Sequence, residues 1–378
     1  GWYVTKRTMQ TAADAAAASA AAALIQGASA DRIQDEAQSV AAQNGFANGT
    51  GNTVVAVHNP PRSGPNSNPP NASAVEVIIT QPQQALLSTL FLGSNPTIGA
   101  RAVGVGRLGA CAVALGHSDP AVSTGGSASI NLNNCDLDAN AGVSTGGSGS
   151  ISATNVNASG DCSGNVSATK NLNCDTDAPT QVSDPYASYT VPTVGACGNP
   201  PTGSANTYSP SGNTTINQGV YCGGINLSSG VTLTLNSGIY LLDGGSLNIT
   251  GSASLVGNGV TIILTSSTGN NYGTVNIGGS STVNLSAMAS GPTQGIALWV
   301  DKNAPFAFDS LGGGSSQVTI NGAMYMPTQN VSYSGSADAS GCNQIVAKSI
   351  TLGGNSELDH NCAGYGVQEP AGLTGLVE

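Results

Sequence analysis

The chain has 378 residues, only 8% of them charged, and a formal net charge of −11. Roughly 25% charged residues is ordinary for a globular domain, and so acidic, cation-poor a chain excludes nucleic acid and anionic lipid as main partners, because both require clustered Lys and Arg. Disorder is excluded by short regular apolar strings such as Val231-Thr-Leu-Thr-Leu235 and Val260-Thr-Ile-Ile-Leu264.

Residues 5–26 predict a helix. Met9, Ala12, Ala13, Ala16, Ala20, Ala23 and Leu24 recur at helical spacing, and alanine is the strongest helix former. A second helix is predicted from Asp31 to Gln43, with Ile33, Ala37, Val40 and Ala41 on one face and Asn44-Gly45 as its stop. A face of small residues permits close approach to a neighbouring helix or sheet. It serves equally well for docking to a partner and for packing on its own domain. Strand-like strings follow at Thr53–Val57, Ala74–Thr80 and Ile98–Val105, with a polar loop from Asn59-Pro-Pro61 to Pro70. Leu86–Leu92 reads as a helical turn. Residues 1–110 therefore form a small α+β unit.

From Cys111 the helical pattern disappears and repeats begin. Val122-Ser-Thr-Gly-Gly-Ser-Ala-Ser-Ile130 returns 21 residues later as Val143-Ser-Thr-Gly-Gly-Ser-Gly-Ser-Ile151. Ile225-Asn-Leu-Ser228 returns at Leu247-Asn-Ile-Thr250, and Ser237–Leu242 is echoed 21 residues on by Asn258–Ile263. A fixed period of 21–22 predicts a mainly-β fold, a parallel β-helix (β-solenoid) over 111–370, each coil lying on the previous one. Apolar side chains would point inward and polar ones outward. The Asn-, Asp- and Pro-rich stretch from about 155 to 221 reads as an irregular excursion beside it.

Eight cysteines without a CxxC pair match no zinc site and read as disulfides in an oxidising compartment. Sequence neighbours lie close in a winding chain, which favours Cys111–Cys135, Cys162–Cys174, Cys197–Cys222 and Cys342–Cys362. Arg7, Arg32, Arg62, Arg101 and Arg107 all precede the repeats, which hold only Lys170, Lys302 and Lys348. Asp301-Lys302 with Asp309 is the nearest thing to a charged cluster. His58, His117 and His360 are far apart in sequence, and Trp299 belongs to an apolar string. Asp136-Leu-Asp138-Ala-Asn140 opens like a calcium loop but lacks its glycine and closing glutamate, and reads as a solvated turn. The sequence assigns no catalytic residue, no metal ligand and no cofactor.

One segment carries a specific likeness. Gly1-Trp-Tyr-Val-Thr-Lys-Arg-Thr-Met-Gln-Thr-Ala-Ala-Asp-Ala-Ala-Ala17 resembles the region just after the membrane helix of TadG-like Flp pilus-assembly proteins, where an aromatic/basic juncture leads into a Gln-x-Ala-Ala-Asp-Ala-Ala-Ala helix. The β-rich region beyond, with the Cys111–Cys135 block, is similar in type. The resemblance implies a pilin-like first unit whose N-terminal helix, with Gln10, Ala12, Ala13, Asp14, Ala16 and Ala20, serves assembly, and an apolar membrane segment preceding this sequence. It implies a non-enzymatic component of a bacterial Tad/Flp pilus or adherence apparatus, acting in pilus assembly and surface attachment at the cell envelope, periplasmic or extracellular. The partners it implies are other pilus or Tad-apparatus proteins, with a host, surface or glycan ligand. The alternatives that the repeats suggest are a β-helix polysaccharide depolymerase or lyase, and a solenoid binding glycan or ice through ranks of threonine such as Thr232, Thr234 and Thr319.

Overall fold

The computed structural model describes residues 2–25, 28–67, 74–83, 96–106, 109–133, 135–174, 182–197, 207–334, 341–354, 357–362, 364–368 and 374–376. The chain divides into two compact units, Gly1–Leu108 with Gly372–Glu378, and Gly109–Ala371. The expected turn at Leu86–Leu92 lies outside the described residues.

In the first unit, helix α1 spans Trp2–Ile25 and helix α2 spans Ala30–Gln43. The spacing of Met9, Ala12, Ala13, Ala16, Ala17 and Ala20 puts them on one face, and all six are fully buried. They pack against Ile33, Ala37 and Ala41 of α2 and against Val75, Val77, Ile79, Ala100 and Ala102. α2 starts where the Ser29 hydroxyl accepts from the Arg32 amide. The strands Val54–His58, Ala74–Pro82 and Thr97–Gly106 form an antiparallel sheet that Thr374–Leu376 joins at its edge. Small residues let α1 approach the sheet closely: a Cβ at Gly104 would stand 2.2 Å from the Ala17 carbonyl oxygen.

The second unit is built of parallel ladders. The two copies of the 21-residue repeat lie side by side in parallel, with Val122 opposite Val143 and Ile130 opposite Ile151. The longest ladder is best followed down one column of paired residues. It runs Val220, Leu241, Ile263, Trp299, Tyr325, Val346, Val113, Asp138, Asn157 and Asn173. The step from Val346 to Val113 shows that the strands do not stack in sequence order. The chain enters the array in the middle, builds outward to Cys174, returns to the opposite end, and builds back until Asn343–Leu352 pairs with Ala110–Ala114.

This corrects the expected fold class. The unit is mainly β, and strands make up 48% of the chain. It is not the simple parallel β-helix preceded by a long helix that the period suggested. Six parallel strands close into a ring: Gly238–Ile249, Val260–Thr265, Ile296–Val300, Gln317–Tyr333, Phe308–Leu311 and Val275–Ile277. The remaining parallel strands lie outside it. The physical cause is two long strands. Gly238–Ile249 and Gln317–Tyr333 each serve two ladders, so the ring closes through them. α1, for its part, is core material of the first unit rather than a preface to the array.

The stretch expected to be an excursion is also different. Ser150–Ala158 and Asn165–Cys174 are paired parallel strands that extend the array. Residues 182–191 cover an outer face. Val182, Tyr186, Tyr189 and Val191 pack over Leu241, Ile263, Trp299, Tyr325 and Val346. The Tyr186 hydroxyl donates to Gln344 at 2.8 Å, and the Tyr325 hydroxyl donates to Asp184 at 2.7 Å. Outward positions under this cover are therefore apolar, against the expectation that they would be polar. Four disulfides pair all eight cysteines with their sequence neighbours, closing loops of 24, 12, 25 and 20 residues. They belong to an oxidising environment, extracellular or periplasmic.

Where Gly238–Ile249 turns from one ladder into the next, glycines stack directly. A Cβ at Gly245 would lie 1.9 Å from the Gly223 carbonyl carbon, and one at Gly273 would lie 1.9 Å from the Gly245 oxygen. Backbone atoms on neighbouring strands have no room to retreat. Gly245→Ala is expected to cost at least about 3 kcal/mol, read as a lowered urea midpoint of the oxidised protein.

Candidate functional site

The first unit holds a cavity of about 390 Å³ between the start of α2 and the end of strand Val54–His58. Ala30, Ile33, Gln34 and Val57 line one side, and His58, Asn59, Pro60, Pro61 and Arg62 line the other. Behind its wall lies the buried Glu76, the one charged residue in an apolar strand. Its Oε1 accepts from Ser63 Oγ at 2.5 Å and from Arg101 Nε at 2.6 Å, and its Oε2 accepts from the Arg62 amide at 3.0 Å. His58 Nδ1 stands 3.5 Å from Oε2. Arg101 also donates through Nη2 to the Ser63 carbonyl at 2.5 Å.

Burial opposes ionisation of Glu76. The hydrogen bonds from Ser63, Arg101 and Arg62 and the Arg101 charge outweigh it, and they hold the carboxyl below its ordinary range. A carboxylate so held is a poor proton donor. The Ser63 hydroxyl is directed to Glu76 and not to His58, so the serine–base pairing that activates a nucleophile is not made here. The cluster ties the 59–63 loop, whose residues 59–62 line the cavity, to the sheet. The sequence reading passed over it. The signal was present: Glu76 and Arg101 each interrupt an apolar string, and the two strings are adjacent strands in which Ile78 pairs with Arg101.

The residues singled out from sequence fall elsewhere. On α1, Gln10 donates to Asp14 Oδ1 and to the Arg101 carbonyl, both at 2.8 Å. Ala12, Ala13, Ala16 and Ala20 are buried within their own unit. The face predicted for assembly is thus occupied internally. Asp136 and Asp138 are not in a solvated turn. Both are buried on strand Asp136–Ala139, where they accept from Asn155 and Asn157 across the ladder. Asn140 donates instead to the carbonyls of Leu115 and Val182.

Asp301, Lys302 and Asp309 do not form one cluster. Asp301 accepts from Thr265 Oγ1 at 2.7 Å and from Asn303, and Lys302 donates to the Ala187 carbonyl at 3.3 Å. Among the described residues no group of His, Cys, Asp or Glu is arranged to hold a metal ion, and no helix is long and apolar enough to cross a membrane. The threonine ranks are broken. Thr234 pairs with Val256, which pairs with Asn284 before Thr319 is reached. Comparison with known proteins returns no match: no protein family, curated protein or solved structure proves similar to this chain.

Asp309 is a strongly perturbed acid. It is 2% exposed, and its Oδ1 accepts from the Val275 amide at 2.5 Å while its Oδ2 has no partner. Burial pushes its carboxyl from 3.8 up to about 6, against the opposing pull of the Val275 bond. A folded-state value above the unfolded one means a penalty that is absent below pH 4, grows between the two values, and is full above pH 6. The difference corresponds to about 3 kcal/mol. Asp309→Asn keeps an acceptor for Val275. It is expected to match the parent below pH 4 and to exceed it by about 3 kcal/mol at neutral pH, as measured by urea unfolding across that range.

Proposed function

We propose that this chain is a non-enzymatic structural component of a bacterial Flp or tight-adherence (Tad) pilus apparatus, working outside the cytoplasm in pilus assembly and surface attachment. The observation that carries the reading is the contrast along α1. Its first turn exposes Trp2 (44%), Tyr3 (75%) and Val4 (63%), followed by exposed Lys6 and Arg7, whereas the face from Met9 to Ala21 is buried. Aromatic rings next to basic side chains are the composition of a membrane–water interface. The same end of α1 bears the residues that resemble the pilus-assembly family. With the alanine face in use, contact with envelope or pilus partners runs through this exposed end. The engagement of Glu76, Asp136, Asp138 and Asp301 in structural bonds supports a passive role. Deleting the gene in the source bacterium is expected to abolish piliation and attachment, with immunogold labelling of the parent on pili; unchanged piliation and attachment overturn the reading.

A glycan-binding role is favoured by one further patch. Phe306 (49%) and Phe308 (74%) are exposed, with ring centroids 5.3 Å apart, and Lys348 Nζ lies 4.4 Å over the Phe306 ring. Such a platform stacks on sugar faces, and its cation favours acidic ones. Phe308→Ser is expected to lower retention on an acidic-polysaccharide column about tenfold; unchanged retention overturns the glycan reading.

A further inference from the structure

A second ladder of the Gly109–Ala371 unit carries an unbroken polar row. The row begins with Asn226, Asn248 and Asn276, each opposite the next. It continues from Ser310 through Ser332 and Thr351 to Ser123, Ser144 and Ser163. The positions before and after each of these point to the other face, and Leu247, Ile249, Val275, Ile277, Val331 and Ile350 are buried there. The row therefore faces outward. Asn276, Ser332, Thr351 and Ser163 are exposed, and the other members are half-buried. At about 4.8 Å per strand the row is a track of about 40 Å that crosses the strands.

Stacked asparagines elsewhere in this unit bond to one another. Asn155 Oδ1 accepts from Asn171 Nδ2 at 2.9 Å, and Asn157 Oδ1 accepts from Asn173 Nδ2 at 3.0 Å. Asn226, Asn248 and Asn276 stack in the same way, yet their side chains make no hydrogen bond among the described residues. Each amide offers two donors and an acceptor oxygen. In this row those groups are left to partners from outside the chain.

The exposed Phe308 stands beside this row, two residues before Ser310 on the same strand and the same face. The polar side chains next to it are tied to their own neighbours. The Thr274 amide donates to Ser246 Oγ at 3.0 Å, and Ser349 Oγ donates to the amide oxygen of Asn330, the residue opposite Phe308. The ring therefore projects from a polar surface that does not cover it. Phe306 meets it edge to face, and Lys348 Nζ stands over the Phe306 ring. The row itself holds no charged residue. An apolar ring beside a line of uncharged donors and acceptors matches a sugar chain, whose rings have apolar faces and hydroxyl-bearing edges.

We infer that this face binds a linear acidic polysaccharide laid along the row. One sugar ring stacks on Phe308, one carboxylate meets Lys348, and the hydroxyls of successive rings bond to the amides and hydroxyls of the row. Successive rings of an extended polysaccharide advance by about 5 Å, close to the strand spacing. Each strand then meets one ring, and the full row meets about eight. The remaining carboxylates of such a chain stay in water. A densely sulfated chain finds too few cations here to hold it. The inference rests on the glycan reading of the Phe306–Phe308 patch, and it extends that patch from one platform to a track. It is independent of the pilus reading.

The test is calorimetric titration of the full oxidised chain with hyaluronan oligosaccharides, from the disaccharide to the dodecasaccharide, at physiological ionic strength. Affinity is expected to rise about a hundredfold from disaccharide to octasaccharide and to level off beyond it. Phe308→Ser is expected to lower affinity about tenfold at every length. Asn248→Asp and Ser144→Asp place a carboxylate in the row two and four strands from Phe308, on opposite sides. Charges more than about 8 Å apart are largely screened in this buffer, so only a chain lying on the row responds. Each of these two variants is expected to lower dodecasaccharide affinity about tenfold, with circular dichroism and melting temperature unchanged. Affinity that stays flat with length overturns the track, and so do row variants that bind the dodecasaccharide like the parent. In both cases a loss in Phe308→Ser keeps the platform reading. Absence of binding at every length overturns the track and the platform together.

Discussion

The constraint on which the second unit depends is the column. Parallel pairing sets each side chain directly over its counterpart on the next strand, about 4.8 Å away, so each column must be chemically compatible from one end to the other. The inner column meets this with apolar side chains from Tyr240 to Val156. The outer column changes character along its length. It is apolar from Leu241 to Val113, and it becomes the Asp138–Asn157–Asn173 row beyond. Isolated buried carboxylates are costly. Asp136 and Asp138 are tolerated because a column of amides delivers a donor to each. Asp309, buried with one main-chain donor, shows what happens where the column supplies less.

The covering segment explains where the outer column changes. Val182, Tyr186, Tyr189 and Val191 lie over the apolar part, so strands such as Ile296–Val300 are buried on both faces and read as continuous apolar strings. Residues 182–197 run along this face from beside Asn140 to the Cys197–Cys222 disulfide. Cover and strand order have one cause: a chain that must travel the length of the ladder does so along an apolar face, and it places the later strands behind the earlier ones. The first unit follows a separate logic, in which alanines and Gly104 allow helix and sheet to touch almost backbone to backbone.

Much of this was legible in the sequence, for local reasons. The helices, the three early strands and the four disulfides follow from spacing, caps and proximity along the chain. The Val122/Val143 echo gave the correct register because its strands contain one unambiguous apolar face. The echo of Ser237–Leu242 in Asn258–Ile263 aligned Gly238 with Gly259, whereas Gly238 pairs with Val260. With both faces apolar, a shift of one residue exchanges one buried set for another, and the hydrophobic pattern no longer selects the register. In the candidate cavity, Glu76 and Arg101 were visible as charges within apolar strings. Their convergence with Ser63 and His58 was not, because it depends on the fold of the 59–63 loop.

The sequence by itself determined the mainly-β character, the period of the repeats, the cysteine pairing and the alanine face of α1. Each of these arises from interactions between residues near in the chain or identical in pattern. Only the tertiary structure decided that Ile345 lies against Ala112, that two long strands close a ring of six, and that the alanine face is spent on its own unit. Those outcomes depend on which surfaces meet across more than two hundred residues of chain. A local pattern states that a surface must be buried, and it does not state what buries it.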